Sequence, residues 1–148
     1  MKRTSVATLA LTLLVSFMFW VSSASAQFIP GVAPTELEDL GDGLYAYRAS
    51  AYRNIFLVTS EGVIVTDPLS TKYAKMLRAE IAKITDKPVK FVAYSHSHWD
   101  HVSGAQIFKD EGAQVVAQER CATNIKETPN VDVVAPDITF KDNYSIKL

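Results

Sequence analysis

Only one cysteine, Cys121, occurs in the 148 residues, so no intrachain disulfide can form. Stability must come from an apolar core or a bound metal. An excess of one charge is also lacking: 15 basic against 16 acidic residues leave a formal net charge of -1. A nucleic-acid or anionic-membrane partner ordinarily leaves a basic surplus, so neither is expected. Histidine is scarce, and all three histidines lie between positions 96 and 101. No internal repeat or low-complexity stretch is present. A composition 48% hydrophobic and 21% charged, at this length, describes one ordinary globular domain rather than two.

The first two dozen residues differ in character from the rest. Lys2 and Arg3 precede an uncharged stretch from Val6 to Val21, followed by the small residues of Ser22–Ala26. This is a secretory signal pattern, and Ala24-Ser25-Ala26 places the expected cut after Ala26. The apolar run falls short of the roughly 20 residues a bilayer core needs, which favours a cleaved signal (1–26) over a membrane anchor. Without Lys2 and Arg3 the 15 basic residues fall to 13 against 16 acidic, a net charge of -3. Export together with a lone thiol suggests a bacterial periplasm, with no stable membrane association after cleavage. Residues 27–36, with Pro30, Gly31 and Pro34, read as an extended leader, and residues 37–148 as the domain.

Within that domain, Leu44–Tyr47 and Asn54–Thr59 are aromatic and β-branched runs of strand type. Glu61-Gly62 is a turn, and Val63–Thr66 makes a third strand that pairs back as a hairpin. From Thr71 to Ile84, Tyr73, Met76, Leu77, Ile81 and Ile84 recur at helical spacing. Ser70 or Thr71 caps this helix and Pro88 follows its end. Lys72, Lys75, Arg78 and Lys83 read as its solvated outer face rather than a binding patch. Val89–Tyr94 is a buried strand running straight into the histidine segment. A short helix over Gly104–Phe108, a strand over Gln114–Ala117 and a helix over Gln118–Lys126 follow. The remainder reads as loop, with one further strand from Tyr144 to Leu148.

The histidine segment, Ser95-His96-Ser97-His98-Trp99-Asp100-His101, concentrates the chain's chemistry at a strand's C-terminal end. Neutral imidazole is the commonest ligand for zinc and related ions, and a carboxylate supplies the negative charge a second ion prefers. In an irregular loop, His96 and His98 can grip one ion while Asp100 and His101 serve another about 3.5–4 Å away. A lone histidine is ordinarily a hydrogen-bonded core or surface residue, but four ligand-type groups in six positions are costly to bury without metal. A closed structural zinc site leans on cysteine, absent here, which favours a catalytic site. Trp99 is as well suited to packing on the loop as to lining a pocket. Cys121 reads as a packed residue and is given no ligand role.

His96-Ser97-His98-Trp99-Asp100-His101 closely resembles the His-x-His-x-Asp-His signature of the metallo-β-lactamase superfamily. The early hairpin ending at Asp67-Pro68, the helix and strand before the histidines, and Gly104 after them fit the same pattern, over roughly Leu37 to the end. The resemblance implies an α/β fold, the αββα sandwich, with metals at one edge of its sheets. It implies His96 and His98 on the first ion, Asp100 and His101 on the second, and Asp67 orienting the ligand loop from behind. The family completes each ion with further downstream ligands. No histidine follows His101, and Asp132, Asp137 and Asp142 stand in no matching context, so the chain reads as the N-terminal portion of a longer family member.

The activity implied is hydrolysis by metal-bound hydroxide, with zinc as one or two ions, of a β-lactam, lactone, ester or thioester bond in a small molecule. Asp100 would both bind metal and orient the nucleophile. Iron would suit the same ligands, so an iron-dependent oxidoreductase acting on sulfur compounds is the alternative. A third reading is a metal-binding fragment without turnover.

Overall fold

A computed structural model describes residues 35–49 and 51–148. The expected signal segment and nearly all of the leader lie outside these residues. Seven strands form one sheet in sequence order: β1 (Glu36–Gly41), β2 (Leu44–Ala49), β3 (Tyr52–Val58), β4 (Val63–Thr66), β5 (Val89–Ala93), β6 (Gln114–Gln118) and β7 (Ile138–Phe140). β1 to β4 pair antiparallel, and β4 to β7 pair parallel. The helices are α1 (Thr71–Ile84), α2 (Trp99–Val102), α3 (Gln106–Lys109) and α4 (Glu119–Glu127). The α/β expectation is met. Among the described residues there is one mixed sheet with one helical layer, so each layer type of the αββα sandwich is represented once.

The antiparallel half is a product of local sequence. Asp42 and Gly43, both at positive φ (50° and 78°), turn β1 into β2, as a two-residue Asp-Gly hairpin requires. Thr59 closes the β3–β4 turn by bonding Gly62 through both its backbone N–H (2.9 Å) and its hydroxyl (2.8 Å). The parallel half needs crossovers, which helices supply. α1 starts where the Ser70 hydroxyl accepts the Tyr73 N–H at 3.2 Å, and it buries Tyr73, Ala74, Leu77 and Ile81. Successive right-handed crossovers along β4 to β7, each moving to the next strand in the same direction, place their helices on one face. The core lies there: Tyr47, Phe56, Val65, Val92 and Val115 of the sheet pack in one cluster with Leu77, Phe108 and Ile125 of the helices.

Three expectations need amending. β1 was not foreseen, because Glu36–Gly41 is acidic and has no β-branched residue; it begins at Glu36, a position read as leader. The one short helix expected over Gly104–Phe108 is two, α2 before Gly104 and α3 after it. The last strand is Ile138–Phe140, and Tyr144–Leu148 has no regular structure. β7 is placed by long-range pairing: the Asp137 N–H donates to the Val115 carbonyl (2.8 Å), and the Asp137 carboxylate accepts the Val115 N–H (2.9 Å). Among the described residues, no helix is long and apolar enough to cross a membrane.

Candidate metal centre

β4 and β5 are parallel neighbours with Thr66 opposite Ala93, so the chain leaves both strands at the same sheet edge. Asp67 follows β4, and Ser95–His101 follows β5. Segments about thirty positions apart therefore meet where an α/β sheet ordinarily presents a ligand site. The Leu69 N–H donates to the His101 carbonyl (2.9 Å), tying the two loops together. Positive φ at Asp67 (24°) and Leu69 (62°), unusual for residues with side chains, marks the turn that aims the Asp67 carboxylate at the histidines.

The Asp67 side chain is 11% exposed and its carboxylate is fully engaged. Its Oδ1 accepts the Ser95 N–H at 2.8 Å; its Oδ2 accepts the Ser95 hydroxyl and lies 3.2 Å from His101 Nδ1. Ser95 Oγ is also 2.8 Å from His96 Nδ1. With the serine proton directed to Asp67, both imidazoles are assigned a proton on Nδ1, His96 donating to Ser95 and His101 to Asp67. Each is then left with its Nε2 lone pair free, the tautomer a metal ligand needs.

The rings crowd together. His96 stands 4.6 Å from His98 and 4.2 Å from His101, between ring centroids. Donor atoms of Asp67, His96 and His101 all lie within 4.8 Å of one another. The set fits a divalent ion: imidazole and carboxylate donors converge on one place, the donor types that bind zinc and related ions. His98 and Asp100 stand outside that tight group but beside it, His98 against His96 and Asp100 with Oδ2 3.9 Å from His101 Nε2. Thus His96, His98, Asp100, His101 and Asp67 share one locality, with Asp67, His96 and His101 in the tight group and His98 and Asp100 reaching it through His96 and His101.

Asp100 is exposed, and its Oδ2 accepts the Tyr52 hydroxyl at 3.0 Å. This bond above all holds the Asp100 carboxyl below its usual range; desolvation opposes it, and a backbone hydrogen bond and the charges of His101 and His98 add smaller lowering effects. The same bond raises the Tyr52 phenol. An open hollow of about 580 Å³ borders the cluster, lined by Ser97, His98, Trp99, Asp100, Asn124 and Thr128. Trp99 is 50% exposed there, and its Nε1 donates to the Thr128 carbonyl at 3.3 Å, so it both lines the hollow and packs on the loop.

Cys121 is buried in the core cluster; burial first, and the Asp67 charge second, push its thiol up, away from the thiolate a metal ligand requires. Asp137 is committed to Lys109 and the Val115 N–H.

Sequence reasoning assigned no role to Tyr52, Asn54 or Ser95. Asn54, 2% exposed on β3, donates its amide to the carbonyls of Thr66 and Asp67 and so braces the positive-φ turn. Ser95 adjoins the motif, and a hydroxyl beside a ligand histidine is a signal that could have been read. Tyr52 and Asn54 lie more than forty positions away and carry none.

An α/β sheet whose parallel strand ends gather three histidines and two aspartates, three of which could hold one ion, defines a protein with a candidate metal-binding group at its sheet edge. Comparison with known proteins narrows this. The family model of the metallo-β-lactamase superfamily matches residues 51–119. The metallo-β-lactamase type 2 of Elizabethkingia meningoseptica is 34% identical over 122 residues, 76% of this chain and 48% of that protein. The linear primary-alkylsulfatase of a Pseudomonas strain is 33% identical over 92 residues, 57% of this chain and 17% of that protein. Among solved structures, the subclass B3 metallo-β-lactamase of Bradyrhizobium japonicum superposes with a TM-score of 0.67 at 29% identity, over 78% of this chain and 49% of that one. The chain belongs to the metallo-β-lactamase superfamily. It spans half or less of the length of these curated relatives.

Proposed function

We propose that this chain carries the first set of ligands of a metal-dependent hydrolase centre, with zinc as the ion. His96 and His98 hold one ion, Asp100 and His101 a second, and Asp67 orients the loop through Ser95 and His101. The observation that carries the reading is the hydrogen-bond chain from His96 Nδ1 through Ser95 Oγ to Asp67 Oδ2, with His101 Nδ1 on the same oxygen. It leaves both Nε2 atoms free at one place, which a structural histidine cluster would not need.

Bound divalent ions supply a deprotonated water near neutral pH and a Lewis acid for the scissile carbonyl. The chain's own residues do the rest. Asp67 keeps His101 in the donating tautomer on Nδ1 and holds the loop by the Ser95 N–H. Asp100, exposed at the hollow with its carboxyl held below its usual range, would act as ligand and as hydrogen-bond acceptor orienting the attacking water. Trp99 offers an apolar wall for the substrate. The names of the relatives, a β-lactamase and an alkylsulfatase, fit a small-molecule substrate with a hydrolysable bond, a β-lactam, lactone, ester or thioester in this reading. The amino-terminal signal pattern fits action in the periplasm after cleavage behind Ala26.

Elemental analysis of the purified chain, with His96→Ala/His98→Ala as control, tests the centre. Stoichiometric zinc that the control loses is the expected result, and stoichiometric iron would turn the reading towards sulfur oxidation. No metal above the control would sink it for this chain.

A further inference from the structure

Tyr52 opens β3, and its ring lies on the helix-facing side of the sheet, two and four positions before Asn54 and Phe56, which face the same way. It is 39% exposed, with its hydroxyl at the site rather than in the core. The hydroxyl donates to Asp100 Oδ2 at 3.0 Å across 48 positions of sequence. The ring meets His101 edge-on at a centroid distance of 5.9 Å. Tyr52 therefore touches both residues assigned to the second ion, while the contacts of His96 and His98 are with each other, Ser95 and His101. Two positions along the same strand, Asn54 grips the carbonyls behind Asp67. β3 thus braces the site at two points about 7 Å apart, one under each of its aspartates.

We propose that Tyr52 is a positioning residue for Asp100. Its hydroxyl donates to Oδ2, the carboxylate oxygen 3.9 Å from His101 Nε2, and so fixes the carboxylate's orientation towards His101, with the result that the β2–β3 hairpin sets the affinity of the second metal position. Asp100 needs such a partner because it is exposed and, among the described residues, no other side chain hydrogen-bonds it, His101 Nε2 standing 3.9 Å from Oδ2. An unrestrained carboxylate at a loop surface loses rotamer freedom on binding an ion, and a prior hydrogen bond removes part of that cost. The inference rests on the metal-centre reading above.

Cobalt(II), followed by its absorption, titrates the positions without relying on activity. The full chain, Tyr52→Phe, Tyr52→Ala and His101→Ala are compared, with thermal melts to confirm folding. Phenylalanine keeps the ring against His101 and removes only the hydroxyl. In Tyr52→Phe, the binding event that His101→Ala abolishes is expected to weaken about 10–100-fold, with the event at His96 and His98 unchanged. Tyr52→Ala is expected to match it. Unchanged binding in Tyr52→Phe overturns the proposal and leaves the metal centre standing. So does a loss seen only in Tyr52→Ala, which would assign the effect to ring packing. If the wild-type chain binds no cobalt, or His101→Ala changes nothing, the metal-centre reading falls and the positioning role with it.

Discussion

Asp67 shows how much one carboxylate can organise. It accepts from the Ser95 N–H, the Ser95 hydroxyl and His101, and an asparagine in its place can offer only one accepting oxygen. Asp67→Asn should lower metal affinity about 10–100-fold with little change in shape, read by competition with a chromophoric chelator. Gly104 is a second residue whose chemistry is dictated by place. Its φ is +92°, and a Cβ there would sit 2.5 Å from the Ser70 carbonyl carbon and 2.6 Å from the Thr71 nitrogen. The loop after the histidines therefore presses directly on the start of α1. Gly104→Ala should destabilise the chain by about 1–3 kcal/mol in urea unfolding, through both the left-handed backbone and the clash. The motif signalled a glycine at this position; the packing against Ser70 is its physical reason.

At the scale of elements, the hairpins and α1 form from neighbouring residues, whereas β7 depends on distant ones. Its anchor is Asp137, bonded to Lys109 of α3 and to the Val115 N–H of β6. The Lys109 bond, then the Val115 N–H, hold the Asp137 carboxyl below the usual carboxylate range, against a smaller desolvation effect. A carboxyl depressed in the folded state adds stability that is present above the unfolded pKa of about 3.9 and is lost as pH falls through the folded value. Asp137→Asn should accordingly be less stable than wild type near neutrality, and the gap in urea midpoints should close as the pH drops well below that range. A gap that persists unchanged in acid would mean that the carboxyl's charge does not hold β7. The same logic explains why β7 escaped the sequence: Ile138-Thr139-Phe140 is too short to declare itself without the ladder that receives it.

For the molecule as a whole, the helices gather on one face of the sheet, and the other face is left with Ile55, Leu57, Ile64 and Phe91, side chains that alternate with the core residues Phe56, Val65 and Val92. Ile55 is 42% exposed, and the other three are half-buried. So continuous an apolar surface is uncommon on a soluble chain. A dye that fluoresces on apolar surfaces should bind the native chain, and Ile55→Lys should reduce that binding while shifting stability by no more than about 0.5 kcal/mol. Unaltered dye binding in the variant would locate the apolar surface elsewhere.

What the amino-acid sequence determined by itself is local: the β3–β4 hairpin, the register and capping of α1, the strand before the histidines, and the clustering of the four candidate ligands His96, His98, Asp100 and His101. These follow from periodicity and turn chemistry among neighbours, which a linear string displays. Tertiary structure alone decided that β4 and β5 lie side by side, which carries Asp67 to Ser95 and His101, and that β3 brings Tyr52 to Asp100 and Asn54 to the turn behind Asp67. Such contacts span 13 to 48 positions. They arise only when strand order closes the loops between them, and no short-range pattern of side chains records that order.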